Sequence, residues 1–239
     1  MKIITEKTDL KQKAGEALDT MISDRAGKPL LLLLSGGSSL DLLEYIHDES
    51  LEGGITIGML DDRYSFDAEV NSFSKLQAFN LGGFYARALD KGCIFLDSAP
   101  HEPETLELYA ERYEYFIKEW MTMYPDGIIR ATVGIGPDGH TSGILPFPED
   151  PETFDHLFNG SKLIVGYDVG DKNPHKYRMT STFTLMRKFD QVLTYMSGDN
   201  KKDALMKVVS EEGTLAETPG RIARELNNVT IMTDISLDK

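Results

Sequence analysis

Short, uninterrupted runs of apolar residues alternate along this chain with longer segments in which apolar residues recur every three or four positions. Runs that are apolar throughout are typical of strands covered on both faces, and the periodic segments are typical of amphipathic helices. The alternation predicts an α/β fold with a single doubly wound, mostly parallel sheet and helices on both faces. The predicted strands are Leu30–Leu34, Ile55–Leu60, Cys93–Leu96, Ile128–Ile135, Lys162–Tyr167, Val192–Met196 and Val229–Met232.

The clearest helical pattern runs from Glu104 to Met121, and two further helices are predicted over Thr8–Asp24 and Lys201–Val209. The apolar face of the first pattern indicates core packing rather than a ligand shelf. Its members are Leu106, Tyr109, Tyr113, Phe116, Ile117 and Trp120. The stretches Asp61–Ser74 and Pro146–Asp155 lack such periodicity, and we expect them to be functional loops.

Length and composition place the chain among ordinary globular proteins. It has 239 residues, of which 41% are hydrophobic and 27% charged, and we see no repeat or linker, so one domain over residues 1–239 is expected. The formal net charge of −14 disfavours nucleic acid and anionic membranes as partners. An anionic metabolite would therefore need a local basic pocket.

The single cysteine, Cys93, excludes an intrachain disulfide, and we expect it to be buried. We find no pattern of a signal peptide, and the longest apolar run, Leu30–Leu34, is too short to cross a bilayer. These features favour a cytoplasmic enzyme, expected to be a monomer or a small homo-oligomer.

The segment Val133–Gly143 carries the most informative chemistry. The predicted strand Ile128–Ile135 ends there in a glycine-rich turn that presents Asp138 and His140. Histidine titrates near neutrality, so it can accept a proton from water and return it to a leaving group. Open α/β sheets bind ligands at such carboxyl ends of strands. The pattern therefore predicts a general-base site.

The same turn also matches the dinucleotide fingerprint G-x-G-x-x-G through Gly134, Gly136 and Gly139. That fingerprint requires a long helix directed at a pyrophosphate. Three prolines closely follow and leave room for barely two helical turns, and Pro137 removes one loop amide. The three are Pro146, Pro148 and Pro151. A nicotinamide cofactor is thus disfavoured, and a purely structural turn remains a further alternative.

A second glycine-rich loop, Ser35–Ser39, separates the strand Leu30–Leu34 from a helical pattern over Leu40–Ile46. Backbone amides at Gly36 and Gly37, the hydroxyls of Ser38 and Ser39 and a helix N-terminus can converge there on an anion. The loop is too short for a nucleotide triphosphate, and neither serine has the glycine spacing of a nucleophile elbow. A plain capped turn is the alternative.

Basic residues beside strand ends can complete an anion site. Arg178 precedes a polar segment, and Lys201 follows the predicted strand Val192–Met196, so both are candidate phosphate ligands. Arg63, in Asp61-Asp62-Arg63, can stabilise developing negative charge. The alternatives are surface charges and a surface ion pair of little energetic value.

Five segments, in this order, resemble the 6-phosphogluconolactonase family, which is related to the glucosamine-6-phosphate deaminases. They are Ser35–Ser39, Asp61-Asp62-Arg63 (the family has Asp-Glu-Arg), Gly134–Thr141 with Leu145-Pro146, Arg178-Met179-Thr180 and Gly198–Lys201. The block Asp-Gly-His-Thr is the most specific of them. The chain departs from the family after Arg63, where Tyr64-Ser65-Phe66 replaces Val-Pro and Asn71-Ser72 is the nearest counterpart of a Ser-Asn pair.

The resemblance implies hydrolysis of 6-phospho-D-glucono-1,5-lactone to 6-phospho-D-gluconate in the pentose phosphate pathway, without metal or cofactor. His140 is then the general base, Asp138 orients it, and Arg63 stabilises the oxyanion. The expected substrate and phosphate ligands are Gly36, Gly37, Ser38, Ser39, Asp62, Arg178 and Lys201.

Two other functions are less compatible with the sequence. Related deaminases and isomerases carry a glutamate five residues after the histidine, whereas this chain has Leu145, which cannot transfer a proton. A sugar-phosphate sensor that regulates transcription would need a DNA-binding module or basic face, which the acidic sequence does not offer. Both remain less favoured alternatives.

Overall fold

Ten strands and seven α-helices are defined in residues 1–79 and 83–237, the part of the chain described by a computed structural model. The strands are β1 (Lys2–Thr5), β2 (Leu30–Leu34), β3 (Ile55–Met59), β4 (Asp61–Arg63), β5 (Ile94–Phe95), β6 (Ile128–Val133), β7 (Ile164–Asp168), β8 (Tyr177–Ser181), β9 (Gln191–Met196) and β10 (Val229–Thr233). The helices are α1 (Leu10–Ser23), α2 (Ser72–Phe79), α3 (Phe84–Asp90), α4 (Leu106–Met123), α5 (Pro151–Phe158), α6 (Phe183–Met186) and α7 (Lys202–Val209).

Seven strands form a parallel sheet in the order β1-β10-β9-β6-β2-β3-β5. The five consecutive leucines of β2 show why such a sheet needs apolar runs. Leu31 and Leu33 pack in the core on the side of α4, whereas Leu30, Leu32 and Leu34 pack in the core on the side of α1. Because successive side chains point to opposite faces, a strand covered on both sides must be apolar throughout.

The predicted α/β class and mostly parallel sheet are confirmed, and β2 has the predicted bounds. The expectation of one sheet is corrected by a second, antiparallel sheet in the order β4-β8-β7. Strand β7, predicted as Lys162–Tyr167 in the main sheet, belongs to this smaller one. Its residues change from buried to exposed along the strand, as expected away from the doubly covered sheet.

Local differences from the prediction are mostly at short elements. The pattern over Leu40–Ile46 forms a 3₁₀ helix, Gly37–Tyr45, rather than an α-helix. The two predicted loops contain β4, the start of α2 and the start of α5, where the Asp150 side chain accepts a hydrogen bond from the Thr153 amide at 3.0 Å. Within the described residues, no helix is long and apolar enough to cross a membrane.

The strand order places the loops of interest together. The sheet is wound in both directions from the β6–β2 pair, and the carboxyl ends of β2, β3, β6 and β9 share one edge. Ligands of open α/β sheets bind at this kind of switch point. Strand β4 follows β3 after Leu60 alone, so the small sheet extends from the same edge.

Candidate active site

A cleft of about 270 Å³ opens at this edge of the sheet. Eight of the ten residues predicted for the site line it, although they come from five separate parts of the chain. They are Gly36, Gly37, Ser38, Ser39, Arg63, His140, Arg178 and Lys201. The remaining two, Asp62 and Asp138, lie outside the lining.

His140 is fixed by the turn in which it lies. Its Nδ1 is 2.6 Å from Oδ1 of Asp138, which also accepts the His140 backbone amide at 3.1 Å. The other ring nitrogen, Nε2, makes no hydrogen bond to any described residue and is available to a ligand. A Cβ at Gly136 would lie 2.1 Å from Cε1 of the imidazole, so this position must be glycine for the ring to keep its place.

The carboxylate of Asp138 contacts the imidazole and does not line the cleft. Burial raises the pKa of its carboxyl, but hydrogen bonds from the His140 side chain and amide, together with the charge of the histidine, outweigh burial and leave the pKa below its usual value. An ionised carboxylate at Nδ1 favours the tautomer with a proton on that nitrogen and a lone pair on Nε2. That is the form required of a general base.

Arg63 and Arg178 face each other across the β4–β8 pair. Arg178 is 5% exposed, and its nearest carboxylate is Asp61, with Nη1 and Oδ2 3.9 Å apart. The Nε atoms of both arginines are buried without a hydrogen-bond partner among the described residues. Arg63, Arg178 and Asp61 form one wall of the cleft. Because it has two guanidinium groups and one carboxyl group, this wall has a net positive charge.

Asp61 is the acidic residue of this wall. Burial raises the pKa of its carboxyl above the usual value, although the charges of Arg178, Arg63 and His140 lower it. A Cβ at Gly143, whose φ is +70°, would lie 2.9 Å from Oδ2 of Asp61. The histidine turn therefore packs closely against this carboxylate.

Lys201 supplies a third cation. Its ammonium group makes no hydrogen bond or ion pair with a described residue. Burial lowers the pKa of Lys201 below its usual value, although the charge of Asp234 raises it. In the loop Ser35–Ser39, the amide of Ser35 donates to Oγ1 of Thr132 at 2.9 Å, and Ser35 Oγ accepts from the Gly134 amide at 3.3 Å. These bonds tie the serine-glycine loop to the end of β6.

Asp62, predicted as a substrate ligand, is 1% exposed and does not reach the cleft. The reason is the alternation of β4, which turns Asp61 and Arg63 toward the cleft and the residue between them away from it. Burial raises the pKa of Asp62 to about 7, although amide hydrogen bonds from Ser72, Phe73 and Arg63 lower it and the charge of Asp61 raises it.

Arg178 also differs from expectation in its setting. It lies within an antiparallel strand, β8, rather than at the carboxyl end of a parallel one. The cleft is further lined by Asp61, Ser72, Ser142 and Asn173, which the sequence reasoning did not assign to the site. Asp61, Ser72 and Ser142 lie in segments that the sequence had singled out, whereas Asn173 carried no signal. Ser142 adopts φ 48°, unusual for a residue other than glycine.

The assembled groups can accept a proton through His140 and hold anionic charge through Arg63, Arg178 and Lys201. Among the described residues, no group of three or more His, Cys, Asp or Glu side chains is arranged to hold a metal ion. The cleft is thus equipped for acid–base chemistry on an anionic substrate.

Comparison with known proteins gives several similar chains. A 6-phosphogluconolactonase of Chlamydia trachomatis is 32% identical over 152 residues, which cover 62% of this chain and 55% of that relative. The fold matches a 6-phosphogluconolactonase of Trypanosoma brucei with a TM-score of 0.72 at 18% identity, over 97% of this chain and 95% of the other. It matches one from Plasmodium vivax with a TM-score of 0.74 at 14% identity, over 97% and 89% of the two chains. Because the family profile described as glucosamine-6-phosphate isomerases/6-phosphogluconolactonase matches residues 5–232, the chain belongs to this family.

Proposed function

We propose that this protein hydrolyses 6-phospho-D-glucono-1,5-lactone to 6-phospho-D-gluconate, a step of the oxidative pentose phosphate pathway. The observation that carries the proposal is that His140, held by Asp138 at 2.6 Å, lines the same cleft as Arg63, Arg178 and Lys201. A phosphorylated lactone needs both a base and an anion site. We infer that the enzyme acts in the cytoplasm as a monomer or small homo-oligomer, without a cofactor.

The reaction begins with water. Nε2 of His140 takes a proton from it while the water oxygen attacks the lactone carbonyl carbon. The resulting oxyanion is stabilised by the guanidinium of Arg63. When the intermediate collapses, the bond between the carbonyl carbon and the ring oxygen breaks, and His140 returns the proton to that oxygen. No covalent enzyme intermediate is required.

The phosphate of the substrate is held away from the reacting carbon. The amides of Gly36 and Gly37 and the nearby serine hydroxyls are the neutral donors, and Arg178 and Lys201 supply the charge. Both cations lack a close partner among the described residues, so an anionic ligand would satisfy them.

The related deaminase reaction is the second candidate. In this chain Leu145 occupies the position where the resemblance places a glutamate, and its side chain is 6% exposed. A buried leucine cannot transfer the proton needed for ring opening. The site therefore favours hydrolysis.

Purified protein should be assayed against both substrates. Lactone hydrolysis releases acid, so base uptake at constant pH, corrected for spontaneous hydrolysis, measures the first activity; ammonia release from glucosamine 6-phosphate measures the second. We expect acid release well above the background and no ammonia. Ammonia release without lactone turnover would reverse the assignment.

A further inference from the structure

A buried carboxylate lies directly behind the cleft wall. Oδ1 of Asp62 accepts the amides of Arg63 at 2.8 Å and Ser72 at 2.6 Å, and Oδ2 accepts the Phe73 amide and the Ser98 hydroxyl, both at 3.0 Å. These donors belong to β4, to the first turn of α2 and to the segment after β5. One side chain thus joins its own strand to the start of α2 and to the segment after β5.

The neighbouring amide side chain of Asn71 completes the network. Its Nδ2 donates to the carbonyl oxygens of Arg63 at 3.0 Å and Ser98 at 3.1 Å, and its Oδ1 accepts the Ser74 amide at 2.8 Å. Asn71 is fully buried. The main chain of Arg63 is therefore held on both sides, at its amide by Asp62 and at its carbonyl by Asn71.

The guanidinium of Arg63 is aimed by the same segment. Its Nη1 donates to the carbonyl oxygen of Val70 at 3.2 Å and contacts Oγ of Ser72 at 3.5 Å. Because the Ser72 amide is itself bound by Asp62, this carboxylate fixes both the backbone of the arginine and a residue that orients its side chain.

We infer that Asp62 is a positioning residue: it holds the guanidinium of Arg63 where that group can stabilise the oxyanion. Asp62 itself does not bind substrate. The inference rests on the proposed function, since it assigns Asp62 through the role of Arg63 in that reaction. All four hydrogen bonds of the carboxylate are made inside the protein, and the residue is absent from the cleft lining. Enzymes lose rate steeply when a charge-stabilising group shifts by as little as about 1 Å.

A double-mutant cycle separates positioning from general support of the fold. We expect Asp62→Asn to lower kcat by about 10²-fold with KM nearly unchanged, since the amide cannot accept all four hydrogen bonds. In an Arg63→Ala background, the same substitution should lower kcat by no more than about twofold, because the group it positions is gone. Asp62→Glu, which keeps the carboxylate, should recover most of the activity lost in Asp62→Asn. Losses that multiply in the double variant would overturn the inference.

Two further measurements keep the outcome decisive. If thermal melting shows that Asp62→Asn does not fold, Ser98→Ala removes one of the four donors and should give a smaller loss with the same coupling to Arg63. The NMR signal of the Arg63 Nε–H group, assigned with Arg63→Lys, reports positioning without turnover. We expect it to shift or broaden in Asp62→Asn; an unchanged signal refutes positioning. A wild-type protein without lactonase activity would refute the proposed function alone.

Discussion

Two cavities lie side by side in this protein, and the larger one is lined by fewer charged side chains. The cleft occupies about 270 Å³, whereas the neighbouring cavity between α5 and the loop after β7 occupies about 750 Å³. The larger cavity has mainly apolar walls. These include Leu145, Pro146, Phe147, Leu157, Phe158, Tyr167 and Val169. Volume alone would select the apolar cavity rather than the cleft that holds the predicted site residues.

The cations of the two cavities make the difference clear. Lys172 of the larger cavity pairs with Glu149, donates to the carbonyl oxygen of Pro146 at 2.8 Å and lies 4.3 Å from the centre of the Phe147 ring. Arg178 of the cleft is 3.9 Å from its nearest carboxylate, and Lys201 has no ion pair within the described residues. A buried charge without close partners is costly, and an anionic ligand offsets that cost. Unsatisfied charge, rather than size, favours the cleft as the site of an anionic ligand.

The largest expected effect is the loss of the base. We predict that His140→Ala lowers kcat for lactone hydrolysis by about 10³-fold and leaves KM within about twofold, because the proton acceptor is removed and the anion site is kept. Steady-state kinetics measure both constants. The matched control is His101→Ala, since His101 also pairs with an aspartate, Asp97, at 2.9 Å but lies outside the cleft. An active His140→Ala protein would remove this residue from the mechanism.

Next in size are the cations of the anion site. Lys201→Ala and Arg178→Ala should each raise KM by about 10- to 100-fold, as expected for a lost charge-assisted hydrogen bond to phosphate. Lys172→Ala, which removes a cation from the larger cavity, should leave KM unchanged. If KM in all three variants equalled the wild-type value, the phosphate would have to bind elsewhere.

The difference between apolar and charged segments also explains which strands could be predicted from the sequence. The parallel strands were predictable because burial on both faces demands apolar runs, of which Leu30–Leu34 is the clearest. Strands β4 and β8 were missed because Asp61–Arg63 is wholly charged and Tyr177–Ser181 is mostly polar. They form by pairing with each other across more than a hundred positions, and no local pattern encodes that pairing.

The site shows the same limit at single residues. His140 and the Ser35–Ser39 loop were recognisable because glycine-rich turns after apolar runs fall at strand ends. Asp61 and Asp62 look equivalent in the sequence. Only the knowledge that they lie in a strand separates the carboxylate that lines the cleft from the one that faces the interior. The prediction listed Asp62 among the ligands and left Asp61 out, since the sequence does not show which of the two faces the cleft.

The smallest expected effect concerns the wall that the two cavities share. The hydroxyl of Tyr167 donates to the carbonyl oxygen of Gly143 and accepts the Leu145 amide at 3.2 Å, and Gly143 packs against Asp61. Burial raises the pKa of Tyr167, so the hydroxyl remains protonated at neutral pH. Tyr167→Phe removes both bonds, and we expect kcat/KM to fall by about two- to tenfold and the free energy of unfolding by about 1–3 kcal/mol.

The control for this prediction is Leu157→Ala, on a wall of the larger cavity away from the cleft. It should lower the free energy of unfolding by about 2 kcal/mol through lost packing and leave kcat/KM unchanged. Urea titration and steady-state kinetics on the two variants test the contrast directly. If Leu157→Ala reduced kcat/KM as much as Tyr167→Phe, the two cavities would act as one site, and the separation between an apolar cavity and a charged cleft would fail.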